Sequence, residues 1–250
     1  MTERAVATGE SLVERAAGLP GQMAVQEALA VLAAARTDQV VVTTMGSIRE
    51  WSRVSRHPLD FHYIPSAMGQ GSSLGLGIAL ARPERRVIVL NGDGSMLMNL
   101  GSLVTIAAQG PRNYYLIVID NGVYEITGGQ LTAGTRLGTI LLGHAASGQH
   151  EPADMGPTAP VPSQAGQAGF VHVDYPGLAR AAGFARAYRF NDVEKWQAEV
   201  REILTEPGPV LISLEVAPVP GAGTPKSPGP MRERVGKLRA ALAGVNDRPA

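Results

Sequence analysis

The sequence predicts an α/β domain: a doubly wound, mainly parallel sheet with helices on both faces. Three observations carry that expectation. The runs VVVTT (40–44), RRVIVLN (85–91) and YYLIVID (114–120) are β-branched or apolar with no regular polar alternation, as strands buried on both faces require. The first two feed directly into glycine-containing turns and then into helix-like stretches. Strand, turn, helix and strand again is the pattern of a parallel sheet covered by helices.

Taken in order, residues 1–20 are polar and Ala-rich and read as an N-terminal arm. Residues 22–36 (QMAVQEALAVLAAAR) have apolar spacing suited to a helix. After the 40–44 strand, MGSIREW (45–51) reads as a Gly-Ser turn entering a helix, and 52–64 as a loop. Residues 68–82 (MGQGSSLGLGIALAR) are rich in small residues and read as a helix packed very closely on its neighbour. The 85–91 strand meets the turn GDG, then one helix over 95–109, then the 114–120 strand. Residues 131–170 form a long Gly/Pro/Ala/Ser/Gln-rich insertion of the kind that serves as a lid or interaction loop. Regularity returns with a helix near 175–185, a strand at 185–190, a helix over 192–206 whose N-cap is Asp192 or Asn191, and a strand at 209–216. The domain is therefore placed at 21–216. The tail, 217–250, is Pro- and Gly-rich with a basic amphipathic piece near 231–242.

The chain has 250 residues, enough for one α/β domain with tails. Lys+Arg and Asp+Glu are 22 each, so no attraction to polyanions is implied and nucleic acid is not an expected partner. Cysteine is absent, which excludes disulfides, thiolate metal sites and cysteine-ligated clusters within the chain and suits a cytoplasmic protein. The N-terminal stretch has acids and no apolar core, so no signal peptide is expected. No run of 18 uninterrupted apolar residues occurs, so no membrane span is expected.

The chemistry concentrates between residues 91 and 127. In an open parallel sheet, ligands sit beyond the carboxyl ends of the strands. Asp93 and Asn121 both fall at such ends. If their strands are neighbours, a carboxylate and an amide oxygen converge, a pair that suits Mg²⁺ or Ca²⁺. The Val123 carbonyl is a third candidate ligand, and Tyr124 follows it. Gly94 and Ser95 open a helix behind Gly92 and Asp93, and Gly46 and Ser47 open another; helix N-termini favour phosphate. The two turns together read as a metal that holds a diphosphate.

These residues resemble the thiamine diphosphate (ThDP) enzyme superfamily, whose signature is Gly-Asp-Gly, some 25 residues, then Asn-Asn. Here Gly92-Asp93-Gly94 is followed by 25 residues (95–119) and Asp120-Asn121. Asp120 departs from the signature; Asn121, at the position that ligates the metal, keeps it. TTMGSIREW (43–51) is similar to the diphosphate-contacting turn of acetolactate-synthase-like enzymes, and MGQGSSLGLGIALA (68–81) to their Gly-rich helix. The resemblance implies a ThDP-binding fold with ThDP and Mg²⁺ as cofactors. It implies metal ligation by Asp93, Asn121 and Val123, and gives Met68 the role of wedging the cofactor into a bent shape.

GDGSMLMNLGSLVTIAAQGPRN and IDNGVYEITGGQ are most similar to the sulfopyruvate decarboxylase beta-subunit and phosphonopyruvate decarboxylase group. That likeness implies a ThDP-dependent lyase acting on a small 2-oxo acid. It also implies a separate pyrimidine-domain (α-type) subunit that supplies the activating Glu, in an assembly of two copies of each subunit or larger. A carboligase on the same two halves and a non-catalytic partner protein are the alternatives. Glu125 departs from the group, which has a small residue there; it is a candidate acid or base, a repellent for an anionic substrate tail, or a solvent-facing loop residue. Thr127, Gly128, Gly129 and Gln130 are candidate substrate contacts. His57 and His62 read as surface residues near an entrance loop, and His144, His150 and His172 as solvated. Lys226, Arg232 and Arg234 read as a solvated basic face.

Overall fold

A computed structural model describes residues 21–132 and 173–243. The arm at 1–20, residues 133–170 of the insertion, His144, His150 and His172 lie outside the described residues. The chain runs α1 (Val25–Ala35), β1 (Val40–Thr44), α2 (Met45–Val54), β2 (Asp60–Tyr63), α3 (Gly71–Ala81), β3 (Val87–Gly92), α4 (Asp93–Leu97), α5 (Gly101–Gln109) and β4 (Tyr114–Asp120). A small hairpin, β5 (Val123–Tyr124) and β6 (Gln130–Leu131), follows with a 3-10 turn at Glu125–Thr127. Then come α6 (Tyr175–Ala182), β7 (Arg186–Phe190), α7 (Val193–Ile203), β8 (Val210–Glu215) and α8 (Met231–Ala243).

The main sheet has the order β2-β1-β3-β4-β8-β7, with every pair parallel. Alternating strand residues feed two cores. Val41, Ile88, Ile117 and Ile212 face α1, α2 and α7; Val40, Val42, Val89, Leu116 and Leu211 face α3, α5 and α6. Both faces are thus covered, which is why the strands lack polar alternation. From β1 the chain first moves outward to β2, then returns to lay β3 on the other side of β1. That reversal opens a crevice at the carboxyl ends of β1 and β3, the place where such sheets bind ligands.

Close packing on this crevice depends on two glycines of α3. A Cβ on Gly71 would lie 2.2 Å from Thr44 Cγ2, and one on Gly75 would lie 2.2 Å from Val89 Cγ2. The small-residue helix therefore rests directly on β1 and β3, as its composition suggests. At α7, Asp192 is the N-cap, accepting from the Glu194 and Lys195 amides at 3.0 Å each. Trp196 Nε1 donates to the Ala28 carbonyl at 2.9 Å and ties α7 to α1.

Four expectations need correction. The helix expected over 95–109 breaks into α4 and α5, because the chain turns through 98–100 and restarts at Gly101. The expected loop 52–64 contains the edge strand β2, whose register with β1 pairs Thr43 with His62. His62 is not a surface residue: its Nδ1 lies 2.7 Å from Thr43 Oγ1. His57 Nδ1 lies 3.1 Å from Arg36 Nη2 and accepts from Leu59 N–H at 3.1 Å, so both histidines tie into the sheet edge, and neither is among the residues lining the cleft. Arg234 of α8 is buried, donating to the carbonyls of His62 and Ile64, while Lys226 and Arg232 are exposed. Carbonyls at the end of this short edge strand, one within it and one just past it, take up its guanidinium.

Replacing Gly75 by Ala should lower stability by roughly 1–3 kcal/mol through overpacking, more than the gain of about 1 kcal/mol in helix propensity. Urea unfolding checks this; an unshifted or raised midpoint would show that α3 does not press on Val89.

Candidate active site

The crevice is an open cleft. Gly46, Ser47, Met68, Gly92, Asp93, Gly94, Ser95, Asn121, Val123, Tyr124 and Glu125 all line it. Every residue singled out in the sequence as a cofactor, metal or catalytic candidate is thus brought to one place. Thr127 joins them, whereas Gly128 and Gly129 make a positive-φ turn and exposed Gln130 folds back onto Thr127.

Asp93 is the centre of the site. The parallel register pairs Gly92 with Ile119, so Asp93 and the Asp120-Asn121 turn leave the sheet side by side. Its carboxylate is buried, with a relative exposure of 2%. Oδ2 accepts from the Gly122 amide at 3.1 Å and from the Thr132 hydroxyl at 3.2 Å. Gly122 has φ 73, so the amide can face Asp93 only because this position tolerates the left-handed region. Burial pushes the Asp93 carboxyl up to about 7, with Glu125 acting in the same direction and the Gly94, Thr132 and Gly122 donors acting against it. Among the described residues no cationic side chain forms an ion pair with it.

Asn121 Oδ1 accepts from the Val123 amide at 3.0 Å, which folds the turn tightly and leaves a second lone pair on that oxygen. Thr132 N–H donates to the Gly122 carbonyl at 2.9 Å. Bonded and non-bonded pairs alternate along an antiparallel ladder. Val123 opposite Leu131 is therefore the non-bonded pair, and the Val123 carbonyl points away from β6. One carboxylate oxygen, one amide oxygen and one carbonyl are the donor set that a hard divalent cation takes. Among the described residues there is no cluster of three or more His, Cys, Asp or Glu suited to a metal, which leaves this mixed set as their candidate for a cation.

The glycines form a cradle. A Cβ on Gly94 would lie 2.5 Å from Tyr124 Cδ1, and one on Gly46 would lie 2.9 Å from Glu125 Oε2. The ten-residue α2 opens on the cleft and offers its N-terminal amides to an anion, while the five-residue α4 carries a weaker dipole than one long helix would. Ser47 differs from expectation in its hydroxyl. That group accepts from Thr44 N–H at 3.0 Å and points at the Thr44 and Leu90 carbonyls, so it fixes the start of α2 and leaves only its backbone amide for a ligand. Ser95 Oγ likewise accepts from Gly69 N–H at 3.1 Å and pins the turn that carries Met68. Met68 is no core methionine; it is 53% exposed at the mouth of the cleft. On donor chemistry, burial and available space, the cleft fits a divalent cation with a diphosphate.

Glu125 is not solvent-facing: its side chain is 12% exposed. Oε1 accepts from the Val219 amide at 3.2 Å and Oε2 lies 3.9 Å from Arg49 Nη2. Burial pushes its carboxyl above the ordinary range, against the pull of the Val219 amide and Arg49. Glu50 also lines the cleft but is satisfied. Burial acts to raise it, yet bonds from Arg49 and Gln26 and the charge of Arg53 outweigh that and hold it low.

Sequence reasoning missed several residues. Thr132 and Tyr175, which meet Asp93 through its carboxylate and its carbonyl, are 39 and 82 positions away, with no local signal. Val25, Thr44, Met45, Glu50, Met98, Ile119 and Ile126 complete the lining. Met45 has φ 27, a strained value for a side-chain-bearing residue, imposed where β1 turns straight into α2.

The family described as "Thiamine pyrophosphate enzyme, C-terminal TPP binding domain" matches residues 41–214. The chain is 33% identical over 215 residues to phosphonopyruvate decarboxylase of Streptomyces viridochromogenes, covering 85% of this chain and 44% of that protein. It is 46% identical over 107 residues to sulfopyruvate decarboxylase subunit beta of Methanothermobacter thermautotrophicus, covering 42% of this chain and 57% of that one. Against the same-named subunit of Methanocaldococcus jannaschii it is 56% identical over 95 residues, covering 38% and 50%. The chain thus spans about half the length of the curated relatives it matches. In fold it is similar to the ThDP-dependent 4-hydroxybenzoylformate decarboxylase of Rhodococcus jostii RHA1, with a TM-score of 0.54 at 16% identity over 80% of this chain and 33% of that one. Among the described residues no helix is long and apolar enough to cross a membrane. With the fold, the cleft and 174 matched residues in agreement, the chain belongs to the thiamine pyrophosphate enzyme family, as a TPP-binding domain of the C-terminal type.

Proposed function

We propose that the chain is the diphosphate- and Mg²⁺-binding subunit of a heteromeric ThDP-dependent 2-oxo acid decarboxylase, whose activating Glu comes from a separate pyrimidine-domain subunit. The observation that carries this reading is the buried Asp93 carboxylate, converging with Asn121 and the Val123 carbonyl where the strand order reverses. The beta-subunit names of the two archaeal relatives support the two-subunit arrangement, and the names of the relatives in general support decarboxylation.

In this reading Asp93, Asn121 and the Val123 carbonyl hold Mg²⁺, and the amides of Gly46, Ser47, Gly94 and Ser95 receive the diphosphate. Bound ThDP supplies the electron sink that lets a 2-oxo acid lose CO₂. The protein's own part is placement. Gly122 and Thr132 fix Asp93 Oδ2 and leave Oδ1 for the cation. Ser95 and Asn99 hold Gly69 through its amide and carbonyl, at 3.1 and 3.0 Å, so Met68 is set at a fixed height over α4. Exposed Met68 and Met98, at 53% and 48%, give the cleft mouth an apolar rim that the cofactor and the partner subunit would cover. Glu125 stands beside the metal turn, at the side from which substrate would enter.

Asp93→Ala is expected to abolish Mg²⁺-dependent ThDP binding measured by calorimetry; unchanged affinity would remove the metal assignment. Thr132→Val is expected to weaken it by about 10- to 100-fold, the range seen when a residue orienting a metal ligand is lost, with the folded far-UV spectrum kept. Affinity-purifying the chain from its source should bring a pyrimidine-domain subunit with it, and the pair, given Mg²⁺ and ThDP, should release CO₂ from a 2-oxo acid. A chain that comes alone and binds no ThDP would refute the two-subunit reading.

A further inference from the structure

The charged side chains that line the cleft among the described residues are Glu50, Asp93 and Glu125; no Lys, Arg or His lines it. Asp93 is assigned to the cation. The nearest source of positive charge is Arg49, which stands behind the wall on α2 with its side chain 20% exposed. Its Nε is taken by Glu50 Oε1, and Glu50 Oε2 is in turn held by Arg53 at 3.1 Å and Gln26 at 3.0 Å. Arg49 Nη2 is buried and makes no hydrogen bond. What faces it is Glu125 Oε2 at 3.9 Å. Glu125 is itself fixed there, because its other oxygen accepts from the Val219 amide.

A substrate with a sulfonate or phosphonate tail would need fixed donors in this chamber to replace its water. Among the described residues the one guanidinium face beside this wall is closed by Glu125, and the carboxylate adds repulsion of its own. The rest of the described lining carries no charge: Val25, Met45, Met68, Met98 and Ile126 are apolar, and Tyr124 and Thr127 are neutral. We infer that Glu125 is a built-in counter-anion to Arg49 that reserves the chamber for 2-oxo acids with uncharged side chains. Specificity then comes from an element set against the wrong substrate as well as from contacts to the right one. The inference rests on the decarboxylase reading above. Removing the charge of Glu125 while keeping its shape leaves the positive charge of Arg49 Nη2 uncountered from that side and turns the same wall into one that attracts an anionic tail.

The test uses the complex of the chain with its partner subunit, loaded with Mg²⁺ and ThDP. CO₂ release from 2-oxobutanoate and 4-methyl-2-oxopentanoate is compared with that from 3-sulfopyruvate and 3-phosphonopyruvate. The wild type should favour the uncharged tails by about tenfold or more in kcat/KM, the scale of a like charge in a partly buried site. Glu125→Gln, which keeps an oxygen for the Val219 amide, should shrink that ratio by about tenfold. It should also tighten calorimetric binding of phosphonoacetate, an unreactive carrier of the same tail. Adding Arg49→Met should reverse both effects. Wild type that prefers the anionic tails, or a ratio and a phosphonoacetate affinity that Glu125→Gln leaves unmoved, overturns the inference while ThDP binding and CO₂ release still uphold the decarboxylase reading. A complex that binds ThDP in neither form and releases no CO₂ from any of the four acids overturns both.

Discussion

One buried carboxylate sets the terms for the cleft. Asp93 leaves water at the end of β3, and among the described residues no cationic side chain pairs with it. Burying such a charge is costly unless it is bonded or neutralised. The chain meets part of that need with the Gly94 amide and with Gly122 N–H and the Thr132 hydroxyl, the last two on Oδ2. The rest is left for something that binds. A group held so far from its ordinary ionisation by burial is an affinity for positive charge stored in the fold, and a divalent ion discharges it more completely than a proton does.

The remaining architecture keeps the partners of that carboxylate in register. Parallel pairing of β3 with β4 fixes the Asn121 turn beside Asp93, and the non-bonded position of Val123 in the hairpin frees its carbonyl. On the opposite wall, Thr44 Oγ1 reaches the Leu90 carbonyl at 3.1 Å and Asn91 Oδ1 at 3.2 Å, so the ends of β1 and β3 are locked before either turns into its helix. Gly71 and Gly75 let α3 settle onto this junction without a Cβ in the way. Small residues here are the condition for two helix starts to open on one cleft.

Much of this was legible in the sequence, for a physical reason. Buried parallel strands announce themselves by apolar runs, and a site built at strand ends falls where those runs stop. Asp93, Asn121 and Val123 could therefore be placed from local sequence, and the glycine-rich helix could be read as close-packed. What could not be read depends on long-range meetings. Strand β2 is short, at the sheet edge and carries Asp60 and His62, so its pattern resembles a loop. Thr132 reaches Asp93 only after a hairpin folds back, and Arg234 finds the carbonyls of His62 and Ile64 from about 170 positions away. The position of Ser47 suits a ligand contact, yet the local bonds of its hydroxyl decide its use.

The cleft is polarised by these same choices. At its floor, helix amides and a free carboxylate oxygen prepare for a metal-bound anion. Towards its mouth, Glu50 and Glu125 bracket Arg49 so that one guanidinium serves two carboxylates at unequal distances. Glu50 takes the hydrogen bond and its carboxyl is held low; Glu125 receives only the longer-range attraction of the same guanidinium, and burial pushes its carboxyl upward. The pair is therefore asymmetric. Disturbing Glu50 would leave the guanidinium without its main partner and loosen α2, whereas disturbing Glu125 leaves α2 capped, alters what the chamber presents and lifts a carboxylate that acts on Asp93. Structural and selective roles thus fall on different partners of a single arginine.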